Sequence, residues 1–205
     1  MKRPAKPVEF PDWEKLYNEE EFESMPWYIA GMDPDIEAGL RYIAVTSGDV
    51  LDIGTGPGTQ AIALAEHGFH VTATDLSASA IAKALKAARK KHLDIDFITD
   101  DILRCKLDRQ FDIVVDRGCF HVLSPAMRPD YVHTVHGLVR TGGFLFIKCF
   151  SKMERTMKDG PYRFSPDELA GIFGKRFIVE YTEETVFHGT LTPLPRALFS
   201  VMKKL

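Results

Sequence analysis

The sequence has little of what marks secreted, membrane-spanning or metal-binding proteins. Its three cysteines, Cys105, Cys119 and Cys149, are odd in number and show no metal-like pairing. Such usage fits a reducing compartment, so we expect a cytoplasmic protein. No run of about 18 apolar residues is present to span a bilayer. The N-terminal residues also lack the apolar core of a signal peptide.

An excess of positive charge is also missing. The chain has 26 lysine and arginine residues against 29 aspartate and glutamate residues, which gives a net charge of −3. This balance creates no field that would collect phosphate backbones, so we expect neither nucleic acid nor a membrane surface as a partner. The sequence leaves open whether the protein is a monomer or a homodimer.

What the sequence does contain is an alternation of short β-rich runs and helix-like segments. With 205 residues, 45% of them hydrophobic, the chain can bury one sizeable core. The alternation predicts an α/β fold with a doubly wound, mostly parallel sheet. No helical pattern separates the last two runs, "RFIVEYTEETVF" and "RALFSVMKKL", so we expect those two strands to be antiparallel. Residues 1–11 are expected to form a loose arm.

The stretch "VLDIGTGPGTQ" has the strand, glycine turn and helix start of a nucleotide-like site. A dinucleotide pattern from Gly54 would need glycine or alanine where Thr59 stands, and no P-loop lysine follows. Asp52 adds a carboxylate beside the turn, which would repel a diphosphate and attract an ammonium group. The turn therefore favours a ligand that joins an amino-acid cation to a nucleoside.

Acidic residues also follow the next two predicted strands. Asp75 ends the second strand and could accept hydrogen bonds from both hydroxyls of a ribose. Asp100, Asp101 and Ile102 follow the third strand, where a carboxylate and a backbone N–H would match an adenine edge. The alternative is that each aspartate simply caps a loop. Together, in this order, they favour an adenosine site.

The segments "VLDIGTGPG", "VTATDLS", "DFITDDIL", "FDIVVDRG" and "VRTGGFLFI" resemble the successive motifs of class I S-adenosylmethionine-dependent methyltransferases over about residues 48–150. The resemblance implies a seven-stranded sheet with an antiparallel last strand and S-adenosylmethionine as cofactor. It implies contacts of the methionine part with Asp52, Gly54, Thr55 and Gly56, of the ribose with Asp75 and Leu76, of the adenine with Asp101 and Ile102, and of another cofactor edge with Asp116 and Arg117.

A narrower likeness involves the segments before and after this sheet. "DWEKLYNEEEFESMPWY" and "DRGCFHVLSPAMRPDYV" are similar to small-molecule methyltransferases of the thiopurine and tellurite-resistance type. That likeness implies an N-terminal helical extension over residues 1–45 that covers the cofactor through Trp13 and Trp27, and a methyltransferase domain over residues 46–205. The alternative is that both indoles only pack the extension against the domain.

Methyl transfer from a sulfonium needs alignment and exclusion of water more than a nucleophilic residue. Weak candidates for an acceptor-side role are His121 as a base, Arg117 as an anion partner and Tyr162 in the loop 151–164. Each of these residues could instead have a purely structural role. The loop 151–164 is either an acceptor-side lid or a plain surface loop. Cys119 is expected to be a buried filler. His133 and His136 lack a third ligand, so we expect no metal site.

The sequence thus favours methyl transfer to a small-molecule acceptor, with a soft sulfur, selenium or tellurium nucleophile as one possibility. The Asn/Asp-Pro-Pro-Tyr motif of amino-group methylases is replaced here by Asp116, Arg117, Gly118 and Cys119, which argues against adenine or glutamine acceptors. Two alternatives stay open, namely a non-catalytic module that binds the cofactor and, with less support, an NAD-dependent oxidoreductase. The acceptor is not identified by the sequence.

Overall fold

A computed structural model describes residues 12–157 and 160–205, so the arm expected over residues 1–11 lies outside the described residues. One mixed sheet runs through the molecule in the order β3-β2-β1-β4-β5-β8-β7. The strands are β1 (Asp49–Ile53), β2 (His70–Asp75), β3 (Asp96–Thr99), β4 (Phe111–Arg117), β5 (Val139–Ser151), β6 (Arg163–Phe164), β7 (Phe177–Val186) and β8 (Arg196–Lys204).

The predicted sheet architecture is confirmed, with one addition. Strands β1 to β5 pair in parallel, and β8 runs antiparallel to both β5 and β7. The additional strand is the two-residue β6, which pairs in parallel with the end of β5 through Phe150 and Arg163. Sequence patterning missed it because two residues are too few to show alternation.

The described ranges contain six α-helices, two of them before the first strand. They are α1 (Trp13–Glu19), α2 (Pro34–Tyr42), α3 (Thr59–Glu66), α4 (Ala78–Lys90), α5 (Arg128–Leu138) and α6 (Pro166–Phe173). The residues that begin α2 and α6 are typical helix caps. The Asp33 side chain accepts the Asp35 N–H, and Ser165 and Glu168 form a reciprocal capping box. The helix α5 follows a turn over residues 124–127, which the Met127 N–H closes by donating to the Ser124 carbonyl.

Helices cover both faces of the sheet. Apolar side chains of α2, α3 and α4 pack on one face around Ile36, Leu64 and Ala88. Those of α5 and α6 pack on the other face around Tyr131, Val135 and Phe173. Since each strand alternates its side chains between these two layers, neighbouring residues at a strand's end point to opposite sides of the sheet.

A buried cluster of charges ties the start of α2 to the ends of β4 and β5. The fully buried Asp33 carboxylate accepts hydrogen bonds from Lys148 Nζ at 2.6 and 2.8 Å and from Arg117 Nε at 2.6 Å. Lys148 Nζ also lies 2.6 Å from Asp35. Burial would raise the pKa of Asp33, but the two cations outweigh it and hold that pKa below its ordinary value. Asp33 therefore stays ionised, and its ion pairs fix the chain beside the sheet edge.

We expect Lys148→Met to lower the free energy of unfolding by about 3–5 kcal/mol, because it leaves Asp33 and Asp35 buried with one cation fewer. Lys152→Met is the matched control, since the Lys152–Glu168 pair is about half exposed, with side-chain exposures of 54% and 44%. Its loss should cost at most about 1 kcal/mol. Urea denaturation of both variants measures the difference, and equal losses would contradict the role given to the cluster.

Candidate functional site

The candidate site begins at the turn between β1 and α3. Gly56 and Gly58 have φ angles of 54° and 80°, in the left-handed region that favours glycine. A Cβ on Gly56 would lie 2.8 Å from the Tyr17 hydroxyl oxygen, and one on Gly58 would lie 2.8 Å from Ala84 Cβ. The turn thus requires glycine for its backbone conformation and for the close approach of α1 and α4.

Asp52 lies under this turn with almost no exposed surface. Its carboxylate accepts a hydrogen bond from Thr55 Oγ1 at 2.6 Å. Burial raises its pKa from 3.8 to about 7, and the Thr55 hydrogen bond offsets only part of that rise. In the described part of the chain Asp52 has no ion-pair partner, because the nearby Arg117 is paired with Asp33. A buried carboxylate without a counter-charge is a typical mark of a binding site for a cation.

Asp75 lies at the end of β2, next to β1 in the sheet. Its carboxylate accepts the Gly56 N–H at 2.8 Å and the Ser77 N–H at 2.9 Å. It therefore joins the glycine turn to the start of α4, and each oxygen keeps acceptor capacity for a further hydrogen bond. The adjacent Leu76 is 61% exposed at the surface.

The residues after β3 continue the same edge of the sheet. Asp100 N–H donates to the Asp75 carbonyl at 2.9 Å, which places the two strand ends side by side. The Asp101 carboxylate accepts the Leu103 N–H and starts a single helical turn over residues 102–104. Ile102 is half-buried in that turn. Asp75, Asp101 and Ile102 lie outside the small cavity above the glycine turn.

Strand alternation separates the two charged residues at the end of β4. Asp52 pairs in register with Val115, so Arg117 points to the same face as Asp52 and Asp116 points to the other. The Asp116 carboxylate accepts the N–H groups of residues 118, 119 and 120 and the Tyr131 hydroxyl. Asp116 therefore holds the turn 118–120 from the face of the sheet opposite to Asp52. Burial raises the pKa of Asp116 to about 6.

Arg117, by contrast, lies at the cavity above the glycine turn. Besides Asp33, its guanidinium donates to the carbonyl oxygens of Trp27 and His188. All three partners are protein groups, and the side chain is only 6% exposed. The arginine thus holds the N-terminal segment and the loop between β7 and β8 against the site.

The N-terminal segment covers the glycine turn. The cavity beneath it measures about 30 Å³ and is lined by Tyr17, Trp27, Tyr28, Asp52, Gly54, Thr55, Gly56, Pro57, Thr59, Gln60 and Arg117. Trp27 lies at the cavity, whereas Trp13 lies behind it, stacked on Tyr17 with ring centroids 6.2 Å apart. Such a volume holds about one water molecule, far below the roughly 300–1,000 Å³ of small-molecule pockets. Entry of a nucleoside would therefore require this segment to move.

Five residues of this lining were not among the predicted site residues, namely Tyr17, Tyr28, Pro57, Thr59 and Gln60. Tyr17 and Tyr28 belong to the covering segment, where aromatic residues have no spacing that distinguishes lining from packing. Gln60 is a buried amide on the first turn of α3, where its side chain accepts the Asp33 N–H at 2.8 Å and donates to the Gly31 carbonyl. The one sequence feature that could have indicated Gln60 is that it is a polar residue at the start of an otherwise apolar helix.

The acceptor-side candidates lie in different surroundings. His121 is buried, and its Nδ1 accepts the Phe150 N–H at 3.2 Å. Burial lowers its pKa to about 3, with a further contribution from the Arg117 cation, which makes His121 a weak base in this structure. Tyr162 packs against the α5 layer, where its ring lies 4.8 Å from the Arg128 guanidinium carbon. The Tyr162 N–H donates to the His121 carbonyl at 2.8 Å, so the two residues adjoin although their side chains have different neighbours.

Two further features singled out from the sequence are Cys119 and the loop 151–164. Cys119 is half-buried, and burial raises its thiol pKa well above the ordinary value. In the loop 151–164, residues 158 and 159 lie outside the described residues, and the Glu154 carboxylate accepts hydrogen bonds from Thr156, Met157 and Arg196. These contacts hold the described part of the loop against the start of β8.

In the described ranges, side chains that could together bind a metal ion lie close to one another at one place. Asp33, Asp35 and His188 bring one ligand atom each within 4.8 Å of one another. The Lys148 ammonium lies between them, 2.6 Å from Asp33, 2.6 Å from Asp35 and 3.1 Å from His188 Nδ1. The positive charge at this place is therefore supplied by the protein itself.

A larger concavity of about 680 Å³ lies at the opposite end of the sheet. Of its charged lining residues, Arg140 forms ion pairs with Asp49 and Asp112, and Arg109 forms one with Asp96. Ligands of open parallel sheets bind at the carboxyl ends of the strands, whereas this groove lies at their amino ends. None of the helices within residues 12–157 and 160–205 has the length and apolar character needed to cross a membrane.

Comparison with known proteins gives a consistent result. Residues 50–143 match a family described as a methyltransferase domain. The probable thiol methyltransferase 2 of Arabidopsis thaliana is 26% identical over 158 residues, which cover 76% of this chain and 68% of that relative.

Two solved structures share the fold. The first is described by the words "conversion of a disulfide bond into a thioacetal group during echinomycin biosynthesis". Its TM-score is 0.76, and it is 26% identical over 88% of this chain and 85% of its own. TehB from Haemophilus influenzae has a TM-score of 0.70 and 19% identity over 85% of this chain and 63% of its own, and shows likeness of fold alone. Together with the glycine turn and the strand order, these matches show that residues 50–143 form a methyltransferase domain with the fold of the class I S-adenosylmethionine-dependent enzymes.

Proposed function

We propose that this methyltransferase acts on a small molecule that presents a soft nucleophilic atom, such as the sulfur of a thiol. The observation that carries the cofactor half of this proposal is Asp52, a buried carboxylate without a counter-charge beneath a glycine turn. S-adenosylmethionine, when bound, supplies an electrophilic methyl group and brings an ammonium group that would neutralise this carboxylate. The charge of the site therefore suits the cofactor better than a diphosphate.

The cofactor contacts follow the edge of the sheet. In this proposal Asp52, Gly54, Thr55 and Gly56 hold the methionine part, Asp75 and Leu76 the ribose, and Asp101 and Ile102 the adenine. Asp75 is suited to its role because each oxygen uses one backbone N–H and can accept a further ribose hydroxyl. Arg117 borders the methionine end, and Asp116 acts by holding the turn 118–120 rather than by contact.

Residues 1–45 would serve as the cover and residues 46–205 as the methyltransferase domain. The polar contacts between α1 and the start of α4 support movement of the cover, because the α1 residue that makes them is exposed. The Glu14 carboxylate accepts hydrogen bonds from Ser77 and Ser79 at the start of α4, and Glu14 itself is exposed. Trp27 would then close on the cofactor, with Trp13 supporting it from behind through Tyr17.

A soft acceptor fits the chemistry of the surrounding residues. His121 is too weak a base to remove a proton from an alcohol or an ammonium group, and Arg117 is committed to three protein partners. A thiol ionises near neutral pH without help from the protein, so alignment with the methyl group suffices. The thiol methyltransferase among the relatives supports this acceptor class.

The unpaired state of Asp52 predicts a pH-dependent change in stability. A carboxyl group whose folded pKa is raised from 3.8 to about 7 destabilises the fold once it ionises. Relative to the wild type, Asp52→Asn should gain about 3–4 kcal/mol as the pH rises from about 4 to about 7, with little further gain above. Chemical denaturation at pH 4, 5.5, 7 and 8 measures this difference. The exposed Asp96→Asn is the control, and parallel curves for D52N and D96N would contradict the assignment.

The same substitution tests the cofactor site. S-adenosylhomocysteine retains the ammonium group, so Asp52→Asn should weaken its binding by about 10- to 100-fold through loss of a charge-assisted hydrogen bond. Calorimetry measures the affinity, and tryptophan fluorescence reports the cover because both tryptophans of the chain, Trp13 and Trp27, lie in it. Asp96→Asn should bind like the wild type. Unchanged binding by D52N would remove Asp52 from the site.

The acceptor class is tested by methyl transfer to a panel of aromatic and aliphatic thiols, selenide, tellurite, phenols and amines, followed by mass spectrometry. We expect the thiols and the other soft anions to be methylated fastest because they need no general base. Methylation of amines or phenols alone would overturn the soft-acceptor proposal. Cofactor binding without methylation of any acceptor would instead indicate a binding module, and binding of a nicotinamide cofactor would indicate an oxidoreductase.

A further inference from the structure

The surroundings of His121 give it a chemical role that differs from that of a base. The residue lies in a short helical turn, Phe120–Val122, directly after β4. Its ring lies 4.8 Å from the ring of Phe150 and 5.6 Å from that of Phe187, the latter nearly parallel at 28°. Contacts on these two aromatic rings hold the imidazole plane in a defined orientation.

One hydrogen bond fixes the proton on this imidazole. The Phe150 N–H donates to Nδ1 at 3.2 Å, so Nδ1 is the acceptor nitrogen and the ring proton is on Nε2. Burial and the Arg117 cation lower the His121 pKa to about 3 and keep the ring neutral at physiological pH. Within residues 12–157 and 160–205, the His121 ring forms one hydrogen bond, at Nδ1. Nε2–H therefore remains as a donor.

Gly118 gives access to that donor. A Cβ at position 118 would lie 3.2 Å from Nε2 and 3.2 Å from the Phe187 ring, and Gly118 has a φ of 106°. The absence of a side chain thus leaves the Nε2 edge uncovered on this side. Gly118 is flanked by Arg117, which lines the cavity at the glycine turn, and by Cys119, whose Cβ would meet a Cβ on Gly54 at 2.9 Å.

The walls near this donor are apolar. Phe150, Phe187 and Ala197 form a buried cluster against which Trp27 and Met157 pack. Trp27 also lines the cavity above the glycine turn, so this aromatic cluster and the proposed methionine end of the cofactor share a wall. Two cations lie over the Phe187 ring, the Arg117 guanidinium carbon at 4.7 Å and Lys148 Nζ at 5.7 Å from its centroid, and both are paired with Asp33.

We infer that His121 Nε2–H binds the acceptor as an anion, by donating a hydrogen bond to a thiolate carried on an apolar, aromatic body. This inference rests on the proposed function and specifies its substrate class. The acceptor loses its proton to water before it binds, and His121 gains none. During transfer a lone pair of the thiolate forms the new bond to the methyl carbon, and the pair of the broken carbon–sulfur bond stays with the sulfur of the donor. His121 is then a neutral donor in direct contact with substrate.

Two substitutions separate this role from a structural one. In His121→Gln the side-chain amide nitrogen takes the place of Nε2 and keeps a donor there, whereas the acceptor for Phe150 N–H is lost. In His121→Asn the amide oxygen takes the place of Nδ1 and keeps that acceptor, whereas the donor at Nε2 is lost. A structural histidine is replaced better by Asn, and a substrate-binding donor is replaced better by Gln.

The binding experiment uses the whole chain with S-adenosylhomocysteine, so no turnover is needed. Thiophenol is titrated from pH 5 to 9, and the ultraviolet band of the thiolate reports the ionisation of the bound thiol. In wild type and H121Q the apparent pKa of bound thiophenol should fall, and H121N should bind the thiolate about 10- to 100-fold more weakly. Equal or tighter binding by H121N would overturn the inference.

A kinetic experiment gives an independent readout. Across substituted thiophenols of different acidity, the acidic limb of kcat/KM against pH should move with the pKa of each thiol. A limb that stays at one pH for every acceptor would reveal a base on the protein and overturn the inference. If S-adenosylhomocysteine does not bind, or thiols are not methylated, the proposed function fails. If thiols are methylated and H121N acts like the wild type, only the role of His121 fails.

Discussion

The ion cluster around Asp33 is the constraint on which the geometry of the site depends. Asp33 starts α2, Arg117 ends β4 and Lys148 belongs to β5, so three separate parts of the chain meet at one buried carboxylate. Desolvation makes such a cluster costly to break, although it adds little net stability over a packed apolar core. Its contribution is to fix where the N-terminal segment reaches the carboxyl edge of the sheet.

Two buried carboxylates at this edge have opposite electrostatic surroundings. Asp33 is neutralised by two cations, and its pKa is lowered, whereas the pKa of Asp52 is raised to about 7 because burial outweighs its one hydrogen bond. The first arrangement is that of a structural group. The second costs stability in the free protein, and a cationic ligand would recover that cost on binding. This contrast distinguishes the binding carboxylate from the structural one.

The sequence predicted most of the fold because most elements carry a local signal. The alternation of β-rich and helix-like runs predicted the doubly wound sheet, and the missing helix between the last two runs predicted the antiparallel strands. The pairing of Arg117 with Asp33 had no such signal, because it joins residues far apart in the chain. The opposite orientations of Asp116 and Arg117 follow from strand alternation, but assigning each to a face requires knowledge of the sheet.

The distribution of strong and weak contacts also determines which part of the cover can move. At the Asp33 end, the segment is held by buried ion pairs and by Arg117, which binds the Trp27 carbonyl. At the α1 end, its polar contacts are made by the exposed Glu14 and by Lys83, which donates to the Glu20 carbonyl. Exposed contacts exchange with water at little cost, whereas buried charges do not. An opening that admits a nucleoside would therefore lift α1 and leave the Asp33 cluster intact, so that Arg117 and the rest of the site keep their positions while the cavity enlarges.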